Sequence, residues 1–443
     1  MRFATLHILL LAAPFASANE ALDVLEGKID ANSVILPPRE VPAGEEAEDG
    51  EGSEERVENI IYLPPEWAPS PLDGLWSRSI LYDNAANPWV QQFAVTGQYD
   101  VSASFGKAET EPSGVTPARN TDLDGTRTRR ARLGARILAF NNTEIEAMGE
   151  FAGDTQYRGV ERLKAYTQVS QTTGVTYGKF SPNFGTESRV EPSLSPYPYR
   201  GALTNMIAPA AALGASIHHA GEKLDYDIGW FSSDYDPEFG SMDGDGMLNV
   251  SVSGSFVEKT GESLARTRWH ADYLHNFDAG RSSPQGYDIA GQRSANGNQL
   301  IVQNPAYRHL FSIGLRTESD RSSFSGDFQL AKGDTTVWGL SLGATHWLVP
   351  GTLNLVGRYQ YAGTDDARGI VAAPGNSGEL RYDASPFFTG DEYHSFYLGT
   401  NLHLYKDSLL LRNGVEYLIL NDEVGESFNT EAFTWQTGAQ ISF

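Results

Sequence analysis

The feature of this sequence that most restricts its fold is a repeated alternation of apolar and polar residues. In the segment 131–139, Leu133 and Ile137 fall on odd positions, whereas Arg132 and Arg136 fall on even positions. Successive side chains of a β-strand point to opposite faces, so this strand has one apolar face and one face of guanidinium groups. A soluble sandwich would bury the apolar face. A membrane barrel would turn it to lipid and the arginines to a water-filled lumen.

About sixteen alternating segments follow one another between residue 90 and the C-terminus, each near the length that a tilted membrane strand needs. The connections after the even-numbered segments are short, as in FNNT at 140–143 and LVPG at 348–351. Many of the other connections are long, including 105–126, 181–208, 277–306 and 363–391. Short turns on one side and long loops on the other are typical of a transmembrane barrel, with the turns in the periplasm.

The N-terminal part of the chain predicts export followed by a tether. Residues 1–18 have a positive start, a short apolar run and a small-x-small cleavage site, which is the pattern of a signal peptide. Residues 19–88 contain the acidic run VPAGEEAEDGEGSEERVEN and the Pro-rich run YLPPEWAPSPLDGLW. Such segments lack the apolar groups needed for a core, so we expect a largely disordered periplasmic tether. The barrel is predicted for residues 89–443, in a chain without cysteines.

The C-terminal run EAFTWQTGAQISF alternates to its last residue, with Phe433, Trp435, Ile441 and Phe443 on one face. An aromatic strand of this kind at the end of a soluble chain would be an aggregation hazard. The run resembles the terminal strand of bacterial outer-membrane barrels, which the barrel assembly machinery recognises by its closing aromatic residue. We therefore expect Phe443 to bind that machinery, and we expect the protein to lie in the bacterial cell outer membrane, in contact with its lipid.

These observations predict an all-β fold, a transmembrane antiparallel β-barrel of about sixteen strands. A barrel of this size encloses an aqueous channel rather than a packed interior. The connection after strand five, residues 181–208, is long and rich in proline. It occupies the place of the loop that trimeric porins fold into the lumen, so we expect an inward-folded loop here.

Three segments and the SF terminus resemble the phosphate-selective porin O and P family: RTRRARLGARI, VERLKAYTQ and TGVTYGKFSPNFGTES. The resemblance covers roughly residues 90–443. It implies a homotrimer with an arginine ladder that draws small anions such as phosphate toward a constriction. The expected solute pathway comprises three arginines on the ladder strand, one lysine facing the lumen and one arginine in the inward loop: Arg130, Arg132, Arg136, Lys164 and Arg200. Arg200 matches no residue of the family pattern.

The strand after the ladder bears carboxylates that could neutralise it. With a three-residue turn between the two strands, we expect Arg136 to lie opposite Met148. Glu146 and Glu150 would then be diagonal neighbours within reach of its guanidinium. The other two ladder arginines have fewer obvious partners, so we expect them to serve the solute path while Arg136 is structural.

The predicted function is passive diffusion of small hydrophilic solutes through the barrel, with a leaning toward anions. Lumen charges of both signs leave open a general or sugar-permeable porin with little charge preference. An enzyme is not expected, because His394 and Ser395 point to opposite faces and His218 and His219 lie near a turn without a nucleophile motif. The carboxylate-rich run SSDYDPEFGSMDGDG lacks EF-hand spacing. We expect no metal, no cofactor and no nucleic-acid partner, and an adhesin remains an alternative.

Overall fold

The structure is a computed structural model of the chain. It describes residues 70, 72–111, 119–151, 157–191, 193–233, 238–239, 245–260, 263–277, 307–333, 335–365, 370–372, 388–422 and 429–443. The expected signal peptide and most of the expected tether lie outside these residues. Within them, no helix has the length and apolar character required to span a bilayer.

The described residues form twenty strands. They are β1 (Ile80–Asp83), β2 (Val90–Thr110), β3 (Arg119–Asp122), β4 (Gly125–Ala139), β5 (Thr143–Phe151), β6 (Tyr157–Gln168), β7 (Thr173–Phe180), β8 (Ala212–Ala220), β9 (Asp225–Phe231), β10 (Met247–Thr260), β11 (Ser263–Asn276), β12 (His309–Glu318), β13 (Ser322–Lys332), β14 (Thr336–Val349), β15 (Leu353–Thr364), β16 (Ile370–Ala372), β17 (Phe388–Gly390), β18 (Glu392–Tyr405), β19 (Leu409–Asn421) and β20 (Thr430–Ser442). All except β16 and β17 belong to one sheet. Sixteen of its strands, all but the short β1 and β3 that pair with β2, follow one another so that each pairs antiparallel with the next.

The first and last strands of this sheet pair with each other and close it into a barrel. β2 and β20 run antiparallel from the pair Gln98↔Ser442 to the pair Thr110↔Thr430. The backbones of Gly97 and Phe443 extend the seam through two hydrogen bonds, of 2.9 and 3.0 Å. The predicted sixteen-stranded antiparallel barrel is confirmed.

The two faces of the wall differ in the way that the alternation predicts. Outward side chains are apolar and exposed, with Leu133 at 54 % and Ile313 at 65 % of full exposure. On the opposite face of the same strand as Leu133, Arg130 and Arg132 are 4 % and 8 % exposed. An apolar outer band around a polar interior is the pattern of a barrel whose wall contacts lipid.

The two ends of the barrel also differ. Most of the short connections lie together at one end, which we call the turn end; they comprise residues 140–142, 169–172, 221–224, 319–321, 350–352 and 406–408. Ordered structure before residue 89 contacts this end, where helix α1 (Asp73–Trp76) docks through Trp76. The Trp76 indole donates a 2.6 Å hydrogen bond to the Ser442 carbonyl and packs 4.4 Å from the Tyr405 ring. The segment 72–83 therefore contacts the barrel, through Trp76 and through the pairing of β1 with β2.

The opposite, loop end contains an apolar cluster inside the barrel. Helix α2 (Ala202–Ile207) contributes Leu203 and Ile207, both completely buried. The wall contributes inward side chains near the loop-end termini of its strands: Phe231, Met247, Leu274, Leu310, Ala331, Val337, Ala362, Tyr393, Leu418 and Leu420. We call α2 and these residues the apolar collar. Because its members are buried, the wall at this level contacts protein rather than water.

The assignment of faces predicts that Leu133→Arg disrupts assembly. An arginine facing lipid near the bilayer centre costs about 2–4 kcal/mol. The measurement is the fraction of heat-modifiable, folded barrel in membrane extracts, with Leu133→Met as the apolar control. Equal folded fractions for the two variants would mean that this face does not contact lipid.

Candidate functional site

The connection between β7 and α2 lies inside the barrel; we call residues 181–201 the lumen loop. The Gly185 amide donates to Asp272 Oδ2 on β11 at 2.8 Å, and the Thr186 amide donates to Asp327 Oδ2 on β13 at 2.7 Å. The Tyr199 hydroxyl donates to Ser102 Oγ on β2 at 2.8 Å. Since β2 lies far from β11 and β13 around the wall, the loop crosses the interior.

Wall side chains also hold the backbone of the lumen loop on the β18–β20 side. Arg412 donates to the Ser195 carbonyl at 2.8 Å, and Asn401 donates to the Pro196 carbonyl at 2.8 Å. Gln440 donates to the Ser193 carbonyl, also at 2.8 Å. Buried carbonyl groups require such partners, and here the wall supplies them in place of secondary structure.

Glu187 joins the start of the lumen loop to its end. Its carboxylate accepts hydrogen bonds of 3.0 and 2.9 Å from the Gly201 amide and one of 2.8 Å from Arg358 Nη1. The Arg358 guanidinium lies 4.5 Å from the centroid of the Tyr197 ring and donates to the Tyr199 carbonyl at 2.9 Å. One ion pair, between the buried Arg358 and the partly buried Glu187, therefore fixes both the path of the loop and its distance from β15.

A hydroxyl, an imidazole and a carboxylate line up where the loop meets β11. Thr186 Oγ1 lies 2.9 Å from His270 Nε2, and His270 Nδ1 lies 2.9 Å from Asp272 Oδ2. The order resembles a nucleophilic triad. The amides of Gly185 and Thr186, however, donate to the carboxylates of Asp272 and Asp327 and so do not form an oxyanion hole. This arrangement attaches the loop to the wall.

Arg130 and Arg132, expected to have few partners, are both paired in the structure. Arg130 Nη1 lies 3.0 Å from Asp100 Oδ2, directly across the β2–β4 pair. Arg132 binds Glu150 through Nε, and its Nη2 lies 2.7 Å from Glu161 Oε1. The expectation was wrong because it considered only the following strand at a mistaken register, whereas Asp100 lies on the preceding strand and Glu161 on β6.

The register of β4 and β5 also differs from the expected one. The turn contains three residues, as expected, but it lies one position earlier in the chain: Ala139 pairs with Thr143, so the turn residues are 140–142. This pairing places Arg136 opposite Glu146 rather than Met148, and it places Arg132 opposite Glu150. The expected register was therefore wrong by two residues, which keeps every side chain on its predicted face but changes each cross-strand partner.

Arg136 does not form the ion pair expected for it. Its Nη2 donates to Gln92 Oε1 on β2 at 3.3 Å. Glu146, directly opposite, instead lies 3.2 Å from Arg162 Nη1 and 3.5 Å from Lys164 Nζ, which face the lumen from β6. The predicted lysine is thus in the lumen, but it shares a carboxylate with an arginine that the sequence analysis did not single out.

Arg162 also binds the lumen loop through Glu191, whose two carboxylate oxygens accept from both of its Nη groups. Burial alone would raise the pKa of Glu191. The adjacent Arg162 guanidinium outweighs burial and lowers that pKa to about 2. Glu191 therefore stays ionised at any physiological pH, and the pair keeps the loop against β6.

Arg200, the predicted pathway residue in the loop, lies at its end and is partly buried. Its neighbours are fixed, Tyr199 by Ser102 and Gly201 by Glu187. The other four predicted residues all lie on the β4–β6 wall. The structure thus divides the predicted pathway between one sector of the wall and the loop, and it adds Arg162, Arg358 and Arg412 to the lumen cations.

A β-bulge turns a further arginine inward. Asp100 pairs with Arg130 and Val101 pairs with Thr128, so Arg129 is an extra residue in β4. Its guanidinium lies 4.9 Å from the centroid of the Tyr199 ring, inside the lumen. A strict two-residue period would place Arg129 against lipid. The adjacent pair Arg129-Arg130 was the available signal, because two successive charges in a membrane strand require a bulge if both are to avoid lipid.

No family model matches the sequence, and no curated relative matches it. Among solved structures, OprB of Pseudomonas putida is similar at 12 % identity, over 79 % of this chain and 94 % of that chain, with a TM-score of 0.50. OmpF of Salmonella typhi, solved with daunomycin, aligns at 11 % identity over 82 % of this chain and all of that chain, with a TM-score of 0.48. The similarity to OprB shows a shared barrel fold.

The bulge predicts opposite results for two single-residue deletions in β4. Deleting Arg129 removes the extra residue and leaves every other side chain on its present face. Deleting Ala131 absorbs the bulge and moves Arg130 to the lipid face, at a cost of about 2–4 kcal/mol. We expect near-normal folded yield for the first variant and reduced yield for the second. Equal yields would contradict the bulge.

The Glu191–Arg162 pair predicts how the lumen loop responds to pH. The pKa of Glu191 falls from an ordinary 4.5 to about 2, so the stability it adds is complete above pH 4.5 and is lost as pH falls through about 2. The chain has no cysteine, so Leu194→Cys allows a specific nitroxide label on the loop. We expect an immobile label between pH 8 and pH 5, and a mobile one at pH 7 when Glu191→Gln is added. Mobility that rises with a midpoint near pH 4.5 would contradict the pair.

Proposed function

We propose that the protein is an outer-membrane porin, a passive water-filled channel for small hydrophilic solutes. The observation that carries the proposal is a closed barrel with an apolar exterior, a charged interior and a loop attached inside it. Each of these features suits a channel through a lipid bilayer. We also propose, from the sequence resemblance, that the barrels assemble as a homotrimer and that Phe443 is read by the barrel assembly machinery.

In the proposed mechanism solutes diffuse down their gradient between the lumen loop and the wall. The loop narrows the lumen at a fixed position because Asp272, Asp327, Arg358 and Arg412 hold it from several strands. Side-chain charges of the narrow segment act on passing ions where the low-dielectric wall strengthens their field. No covalent step is involved.

We further propose that the channel has a modest preference for anions, including phosphate. The arginines of β4, together with the other lumen arginines, would create this preference. A second candidate is a general porin with little charge preference. It is favoured by the pairing of Arg130 with Asp100 and of Arg132 with Glu150 and Glu161, because each carboxylate cancels part of the arginine's long-range field.

Planar-bilayer recording under a salt gradient tests these proposals. We expect discrete conductance steps, and a reversal potential whose sign corresponds to a higher permeability for anions than for cations. Arg130→Gln combined with Arg132→Gln should shift the potential toward cations at 0.1 M salt, since it leaves Asp100 and Glu150 uncompensated. The shift should fade at 1 M, where the Debye length is about 3 Å.

The matched control is Arg130→Gln combined with Asp100→Asn, which removes a pair without changing the net charge and should leave the reversal potential in place. A purified, folded protein that never conducts would refute the proposal that this protein is a porin. A wild-type channel with equal permeability to both ions would favour the second candidate.

A further inference from the structure

A row of lumen-facing residues crosses five neighbouring strands at one level, on the side of the barrel opposite the arginine-rich β4. The strand pairings align its members successively across β11, β12, β13, β14 and β15: Arg268, Arg316, Ser325, Gly343 and Arg358. We call this row the Arg316 tier. Part of it, from Arg316 to Arg358, lines a cavity whose other side is formed by the lumen loop, including Thr186, Glu187 and Tyr197.

The two arginines of the tier that line the cavity differ in how they are used. Arg358 is 5 % exposed and committed to the loop through Glu187. Arg316 is 31 % exposed, and its ion pair among the described residues is made by Nε, which lies 2.6 Å from Glu318 Oε1. The Nη edge of a guanidinium so placed can still donate two parallel hydrogen bonds, the geometry that suits a carboxylate.

Between these arginines lie the smallest residues of the tier, Ser325 and Gly343, and the absence of a side chain at Gly343 lets the Tyr197 hydroxyl of the lumen loop approach the wall. A Cβ at Gly343 would lie 2.5 Å from the Tyr197 hydroxyl oxygen and 2.7 Å from Ser325 Oγ. Ser325 lies directly opposite Arg316. One level toward the turn end, Ser323 and Thr345 form a hydroxyl pair at 2.8 Å. Hydroxyl groups both donate and accept, so this surface can bind the hydroxyls of a solute.

We propose that the Arg316 tier is a binding subsite for solutes that combine one carboxylate with several hydroxyls, such as hydroxy acids and sugar acids. The carboxylate binds Arg316, and the solute hydroxyls bind Ser325 and its neighbours. A monoanion is favoured over a phosphate dianion because the Glu318 carboxylate lies beside Arg316 and repels a bound anion. This repulsion is twice as large for a dianion as for a monoanion at the same distance. This inference rests on the proposed channel.

The test is block of chloride current by gluconate in planar bilayers. Gluconate, with one carboxylate and several hydroxyls, should reduce the current in a saturable manner. Glucose and inorganic phosphate at the same concentration should block less. Arg316→Gln should raise the half-blocking concentration of gluconate about tenfold, the loss expected for one charge-assisted contact.

Two further variants separate the site from a general charge effect. Arg321→Gln changes the same charge on the exposed turn between β12 and β13 and should leave block unchanged. Ser325→Ala should weaken block by gluconate but not by propionate, which has no hydroxyl. The Ser325→Ala variant also provides a test of the subsite if Arg316→Gln fails to fold.

Unchanged block in Arg316→Gln, or equal loss in Arg321→Gln, would overturn the subsite. If gluconate blocked the Ser325→Ala channel at the same half-blocking concentration as the wild-type channel, the proposed contact between Ser325 and the solute hydroxyls would be overturned. A wild-type channel that conducts but is not blocked by gluconate overturns the subsite alone, whereas a folded protein that does not conduct overturns the proposed function.

Discussion

The cost of exposing a charge to lipid governs the organisation of this wall. An arginine at the bilayer centre costs about 2–4 kcal/mol, so every strand must turn its charges inward. The alternation achieves this for most residues. In β4, Arg129 and Arg130 are adjacent, so strict alternation would turn one of them to lipid. The bulge at Arg129 lets both side chains point into the lumen. The rest of the lumen follows from this requirement, because charges gathered inside a narrow tube must be neutralised or separated there.

The same charges that neutralise one another also hold the lumen loop. Asp272 binds the Gly185 amide and Arg189, Glu191 binds Arg162, and Glu187 binds Arg358. Removing one partner of a buried pair leaves an uncompensated charge, which is more costly than the pair is favourable. The width of the lumen and its electric field are therefore set by one network, and substitutions in it are expected to change both together.

Much of the fold follows from the sequence because alternation is a local property. It gave the strand count, the two faces and the closing strand, and these were confirmed. Register is not local: a shift of two residues between β4 and β5 keeps every face and was not detectable, so the partners of Arg132 and Arg136 were missed. Partners on non-adjacent strands, such as Glu161 for Arg132, depend on bulges such as the one where β6 pairs with β5. The docking of Trp76 likewise depends on Tyr405 and Ser442, more than 300 positions away.

The apolar collar has a consequence for where solutes would pass. Its members lie on α2 and on wall strands from β9 to β19, and they are buried against one another. Such side chains offer a hydrated ion no replacement for its water ligands. The collar therefore fills one side of the loop end, and the path of a hydrated solute would run along the other side, beside the charged strands β4 to β6.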